Sequence, residues 1–161
     1  MMNYPKAYID YLVYFHGVRD YFECPEILEK EWKKVDKEKR QKHWVGLIQV
    51  AVALYHHRRG NLRGSAKLFK KSIVILQYEK EALTSLALDY DELLKRLTRK
   101  LEEVNQGERY KSINLPILSE SLISLCKAES ERLGFKWGNE SDLSDEFIVH
   151  KHIARRRFKS N

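Results

Sequence analysis

The sequence has few of the residues that interrupt helices. Its 161 residues include only 3 Pro and 7 Gly, whereas an all-β fold needs frequent turns, which these two residues commonly form. This scarcity favours long helices joined by short connections. We therefore predict an all-α fold, a single compact bundle of about six or seven helices.

Long apolar runs and closely spaced cysteines are also missing. The longest mostly apolar run, Trp44 to Tyr55, is shorter than the roughly 20 residues that cross a bilayer, and Met1 to Phe15 lacks the charge pattern of a signal peptide. Cys24 and Cys126 are too few for a disulfide framework or a zinc site. We expect a cytoplasmic protein with reduced thiols, no membrane contact, no metal and no cofactor.

Positive charge is unevenly distributed along the chain. The formal net charge is +7, yet twelve basic residues lie between Lys33 and Lys71 and only Asp36 and Glu38 oppose them there. That stretch therefore carries +10 and the remainder −3. Such asymmetry fits an acidic protein or a nucleic acid as partner. The alternative is that the charges lie on separate, solvated helix faces.

Apolar residues recur at helical spacing in six segments, which we predict to be helices. They run from Pro5 to His16, from about Cys24, from Trp44 to Arg58, from Asn61 to Leu76, from Asp89 to Gln106 and from Ile117 to Leu133. Only Arg59 and Gly60 separate the third helix from the fourth, so these two are expected to form a central antiparallel hairpin.

The chain changes character after Gly138. We predict a bundle domain over residues 1–138 and, over 139–161, a linker followed by a short helix from Asp145 and a basic tail. The tail, Arg155-Arg156-Arg157-Phe158-Lys159, has the composition of a phosphate-binding or acidic-protein-binding segment. A merely solvated terminus is the alternative.

A cluster of polar residues is expected between the second and third helices. Glu26 and Glu29 are three residues apart and share a face, as a carboxylate pair for acid–base chemistry would. Gln49 and His56 lie with Gly46 on one side of the third helix, and burial there requires hydrogen-bond partners, for which the carboxylates are candidates. The alternatives are an acidic first turn favoured by the helix dipole and a core network that fixes helix register.

The turn after the third helix is a candidate anion or partner contact. Arg58, Arg59, Asn61 and Arg63 surround a helix N-terminus, where backbone N–H groups favour negative charge. A tight turn with no ligand is the commoner role of such a sequence.

Three blocks of this sequence resemble the family catalogued as domain of unknown function 309. They are Phe22-Glu23-x-x-Glu26-x-Leu28-Glu29-x-x-Trp32, Gly46-Leu47-Ile48-Gln49-x-Ala51-x-Ala53-x-Tyr55-His56 and Arg59-Gly60-Asn61-x-x-Gly64-Ser65. The resemblance covers roughly Tyr11 to Leu76 and implies an all-α bundle without an assigned activity. The family pattern usually places His where this chain has Pro25, which weakens the expectation of metal binding or hydrolysis. The site residues that remain by this resemblance are Glu23, Glu26, Glu29, Gln49 and His56.

Two functional hypotheses follow. The first is a non-catalytic binding or scaffold domain, whose polar seam orients helices and whose basic stretch meets an acidic partner; association into a homodimer is compatible with it. The second is a small-ligand or acid–base enzyme in which Glu26 or Glu29 acts as a base oriented by His56 and Gln49.

Overall fold

The structure, a computed structural model, describes residues 4–151, and within them the fold is an all-helical bundle, as predicted. Seven α-helices of six or more residues precede a single helical turn, and a 3₁₀ helix, Lys37–Lys39, follows the second helix. The α-helices are α1 Lys6–His16, α2 Glu23–Trp32, α3 Lys42–Arg58, α4 Leu62–Leu76, α5 Lys80–Ser85, α6 Tyr90–Asn105, α7 Glu120–Arg132 and α8 Glu146–Val149.

Helices α3 and α4 form the predicted hairpin and pack together more extensively than any other pair. Gly60, at φ 85°, ends α3, and the Asn61 side chain accepts a hydrogen bond from the Gly64 N–H at 3.1 Å. Asn61 is therefore the N-cap of α4. The Ser65 hydroxyl donates to the Ala53 carbonyl at 2.7 Å, which ties the start of α4 to α3.

Helix α1 lies in the core and bonds to other elements through its tyrosines. The Tyr8 hydroxyl donates to the Leu86 carbonyl at 2.9 Å, and the Tyr11 hydroxyl donates to the Leu47 carbonyl at 2.8 Å. Both side chains are fully buried. A buried phenol needs such a partner, so these bonds fix α1 relative to α3 and to the residues that follow α5.

Two helical segments differ from the sequence predictions. Helix α5 was not predicted, since six residues are too short to display a 3.6-residue period. Helix α7 begins at Glu120 rather than Ile117, because Ile117 forms an isolated antiparallel bridge with Leu88 and Ser119 then caps the helix by accepting from the Leu122 N–H.

Residues 139–151 contact the bundle at several points. The Asn139 and Ile148 carbonyls accept hydrogen bonds from arginine side chains, and the Lys151 ammonium forms an ion pair with Asp20. The division of the chain at residue 138 stays a prediction, and the basic tail, Arg155 to Lys159, lies outside the described residues. No helix between residues 4 and 151 is long and apolar enough to span a membrane.

Candidate functional site

Glu29 on α2 and Gln49 and His56 on α3 lie in different surroundings. Glu29 is exposed to solvent, and the Gln49 Oε1 atom is buried without a hydrogen-bond partner among residues 4–151. His56 Nδ1 instead lies 3.2 Å from the Asn61 amide nitrogen and 3.3 Å from an Arg59 guanidinium nitrogen. No hydrogen bond joins Glu29, Gln49 and His56 to one another within residues 4–151, and His56 belongs to the α3–α4 turn.

Glu26 and Glu23 occupy different surroundings on α2. Glu26 is half-buried in the first turn of α2, next to Phe22, whose ring packs against Tyr55 with centroids 5.5 Å apart. The Glu23 carboxylate lies 3.4 Å from the Lys151 ammonium, which also bonds Asp20 at 2.5 Å. Glu23 therefore takes part in a link between α2 and the C-terminal segment.

Arg58, predicted as an anion or partner contact, is a buried residue. Its guanidinium donates to the Arg19 carbonyl at 2.6 Å, to the Ile148 carbonyl at 3.0 Å and to the Ser141 hydroxyl at 3.2 Å. It also stacks over the Tyr21 ring, 4.6 Å from its centroid. Because the side chain is only 7% exposed, its two terminal nitrogens serve the protein interior, while Nε is buried without a hydrogen-bond partner among residues 4–151.

Arg19 is the second buried arginine and was not identified from the sequence. It donates from Nε to the Asn139 carbonyl at 2.6 Å, and its two terminal nitrogens donate to the Ile113 carbonyl at 2.6 Å and to the Asn114 side-chain oxygen at 2.8 Å. The partners are between 94 and 120 residues away in sequence, so no local pattern marks this role. The segment 107–116, which lies between α6 and α7, is held by these bonds.

Hydroxyl groups extend this network from the core to the C-terminal segment. The Tyr110 hydroxyl lies 2.6 Å from the Tyr21 hydroxyl and 2.6 Å from that of Ser141. Burial raises the pKa of Tyr21 well above its usual value, with the neighbouring Tyr110 as a smaller cause. The phenol therefore stays protonated and acts as a hydrogen-bonding group rather than a base.

Burial favours the neutral form of the histidines on α3. Burial lowers the pKa of His57, whose Nε2–H donates to the Glu108 carbonyl at 2.8 Å, and it lowers the pKa of the half-buried His56. No group of three or more His, Cys, Asp or Glu residues within 4–151 is arranged to hold a metal ion.

The basic residues after Arg58 are more exposed to solvent than Arg58 itself. Arg63, Lys67, Lys70 and Lys71 are all exposed on α4. Arg59 is half-buried, with its guanidinium 5.6 Å from the Tyr55 ring centroid. Of the predicted anion-contact residues, Arg63 alone lies on the exposed basic surface, while Arg58, Arg59 and Asn61 stabilise the turn and the core.

Comparison with known proteins agrees with the resemblance in the sequence. The chain is 50% identical over 154 residues to a Bacillus subtilis (strain 168) protein named "Uncharacterized protein YpuF", an alignment that covers 96% of this chain and 88% of the relative. A family model described as "Domain of unknown function (DUF309)" matches residues 8–68, from α1 into α4. No solved structure matches the chain. With its three sequence blocks on α2, α3 and the α3–α4 turn, this chain belongs to the DUF309 family.

Proposed function

We propose that this protein is a non-catalytic binding domain that presents the basic face of α4 to an acidic partner. The observation that carries the proposal is the composition of this face. Arg63, Lys67, Lys70 and Lys71 are exposed, and the helix contains no acidic residue at all. None of the four forms an ion pair with a described residue, so their charges are available to a partner.

The spacing of these residues makes them one surface. Arg63, Lys67, Lys70 and Val74 follow one another at intervals of four, three and four residues, which keeps them on a single side of α4, and Tyr78 follows in the turn after the helix. Val74 and Tyr78 are exposed despite being apolar, 53% and 81% respectively. A row of cations that ends in exposed apolar side chains is typical of a surface that binds another macromolecule.

Helix α6 provides the contrast within the same molecule. It carries basic residues at Lys95, Arg96, Arg99 and Lys100, but Asp91, Glu92, Glu102 and Glu103 balance them. Arg96 pairs with Glu92 at 3.0 Å and Lys100 pairs with Glu103 at 3.1 Å. Ion pairing within the helix is thus available to this sequence, and its absence on α4 supports a role in binding rather than ordinary surface solvation.

The rigidity of α4 further favours this role. Ser65, Phe69, Ser72 and Leu76 bury the opposite side of the helix against the rest of the bundle. Lys33, Lys37 and Lys39 add exposed charge in the turn before α3. Because the cations of α4 stand on a fixed helix, little ordering entropy is lost from the backbone when a partner binds.

The test is binding of two labelled polyanions, a DNA duplex of about 20 base pairs and a glutamate 20-mer, measured by fluorescence anisotropy at several salt concentrations. We expect at least one to bind, with an affinity whose logarithm falls linearly with the logarithm of salt concentration. Comparison of the two probes separates a nucleic-acid partner from an acidic protein. No binding of either probe, even at about 20 mM salt, contradicts the proposal.

A matched pair of variants isolates α4 from total charge. The variant Arg63→Gln/Lys67→Gln/Lys70→Gln/Lys71→Gln is expected to weaken binding about tenfold or more, on the basis of a few tenths to one kcal/mol per exposed charge contact. The control removes four exposed charges elsewhere, Lys95→Gln/Arg99→Gln/Lys127→Gln/Lys136→Gln. Equal losses in the two variants mean that net charge alone attracts the probes, and that result overturns the assignment to α4.

A further inference from the structure

A cleft of about 700 Å³ lies where the start of α1, the start of α3 and the α4–α5 turn meet. Its size is in the range of sites that hold small ligands or single side chains. Three aromatic residues, Tyr4, Trp44 and Tyr78, line it. None of the residues predicted from the sequence as site residues does so, which makes the cleft separate from the polar seam and from the exposed cations of α4.

Two polar side chains that are more than nine-tenths buried line this cleft without a hydrogen-bond partner among residues 4–151. His43 is 5% exposed and Trp44 is 6% exposed, and both line the cleft. Neither the His43 ring nitrogens nor the Trp44 indole N–H forms a hydrogen bond with any residue between 4 and 151. Their polar atoms are not among the fully buried side-chain atoms that lack a partner, so the indole donor and the imidazole nitrogens are open to the cleft, where a ligand can bond to them.

The charge in the cleft is negative, opposite to that of the chain as a whole. Glu79 and Glu81 line the cleft, and neither forms an ion pair with a described residue. Lys80, between them in sequence, does not neutralise them directly, because its ammonium lies over the Tyr90 ring, 5.6 Å from the centroid. Burial lowers the pKa of His43 to about 4, so the imidazole is uncharged at neutral pH and does not repel a cation.

We propose that this cleft binds an arginine or lysine side chain carried by a peptide segment of a partner protein. Aromatic rings and carboxylates together recognise a guanidinium or ammonium group on an aliphatic stem. The indole N–H needs an acceptor, and a neutral imidazole supplies one donor and one acceptor. Next to its cationic side chain, a peptide backbone has a carbonyl that accepts from the indole N–H and an N–H that donates to the imidazole. A simple diamine lacks this backbone.

The experiment is titration of the ¹⁵N-labelled full-length protein with acetyl-Ala-Arg-Ala-amide, followed through the tryptophan indole N–H resonances. The chain has three tryptophans, so Trp32 and Trp137 serve as internal references and Trp44→Phe assigns the third signal. A purification tag belongs at the C-terminus, because Tyr4 borders the cleft. We expect the Trp44 indole signal to shift and saturate below about 10 mM peptide, with the Lys peptide acting similarly.

Further probes and variants distinguish a cationic peptide from an uncharged peptide and from a cation without a backbone. The isosteric citrulline peptide, which lacks the charge, and agmatine, which lacks the backbone, are each expected to bind several-fold more weakly. The variant Glu79→Gln/Glu81→Gln is expected to lower the affinity for the Arg peptide about three- to tenfold. The control variant Glu102→Gln/Glu131→Gln, on exposed parts of α6 and α7, is expected to leave this affinity unchanged. An unmoved Trp44 signal, equal binding of the citrulline peptide, or equal binding of agmatine would each overturn the proposal.

Discussion

The guanidinium of Arg58 donates a hydrogen bond to the backbone carbonyl of Arg19, 39 residues earlier in the chain, at 2.6 Å. Arg19 has φ 57°, a left-handed conformation that is uncommon for a residue other than glycine. Its own side chain binds Ile113, Asn114 and Asn139. The two arginines therefore join α1, α3, the segment 107–116 and the C-terminal segment into one network.

Arg58→Lys is expected to destabilise the protein by about 2–4 kcal/mol. A lysine keeps the charge but has one nitrogen, so it cannot reach the Arg19 and Ile148 carbonyls together, and buried acceptors are left unpaired. Urea unfolding followed by circular dichroism measures the change. Arg63→Lys on the exposed side of α4 is the control, with an expected change below about 0.5 kcal/mol. If Arg58→Lys lowers the free energy of unfolding as little as the control does, the network adds little to stability.

The helices could be predicted from local pattern, whereas the network could not. The apolar period from Trp44 to Tyr55 marks the centre of α3, and the pair Gly60-Asn61 identifies the α3–α4 turn. Arg19 has no such signal, because its bonds span about a hundred residues and depend on the tertiary fold. For the same reason, the sequence predicts Arg58 as an anion or partner contact and gives no sign that its side chain is buried. Sequence periodicity indicates which face of a helix is apolar, not which cations turn inward.

The cleft residues were missed for a different reason. His43 and Trp44 lie on α3, Tyr78 follows α4, and Glu79 precedes α5, a helix too short to predict. Only the antiparallel packing of α3 and α4 brings the start of one helix close to the end of the other. The basic composition of α4, in contrast, is evident from the sequence. Which of its cations are exposed could be decided only when the buried side of the helix was known.

A second prediction concerns the pH dependence of stability. His16 donates from Nδ1 to the Leu12 carbonyl and accepts at Nε2 from the Leu115 N–H, which requires a neutral ring, and burial lowers its pKa to about 3. The unfolded chain takes up a proton near pH 6.5 and the folded protein does not. Stability is therefore highest above pH 6.5 and falls as the pH drops from 6.5 towards 3.

The magnitude for His16 is about 2 kcal/mol between pH 7.5 and pH 5. Urea unfolding at a series of pH values measures it, and the same series on His16→Asn serves as the control. The variant is expected to be less stable throughout but to lose about 2 kcal/mol less than the parent over that interval. Identical pH profiles would show that His16 titrates equally in the folded and unfolded states.

A third prediction tests the close approach of α3 and α4. A Cβ atom on Gly46 would collide with the Leu76 side chain, which is itself fully buried. Gly46→Ala is expected to destabilise the protein by about 1–3 kcal/mol through overpacking, despite the better helix propensity of alanine. The control is the double variant with Leu76→Ala, in which the added methyl group has room. Losses that simply add in the double variant would contradict a direct collision.

The last prediction concerns Gln49, whose side-chain oxygen is buried without a partner among the described residues. Gln49→Met keeps the length of the side chain and removes this acceptor, so thermal unfolding should occur at the same temperature or a few degrees higher, a gain of up to about 1 kcal/mol. Asn61→Ala is the contrasting variant. It deletes a helix cap that accepts from the Gly64 N–H and should cost about 1 kcal/mol. If Gln49→Met is instead destabilising by about 1 kcal/mol or more, the Gln49 side-chain oxygen has a partner in solution. The surroundings of Gln49 would then again be a candidate ligand site.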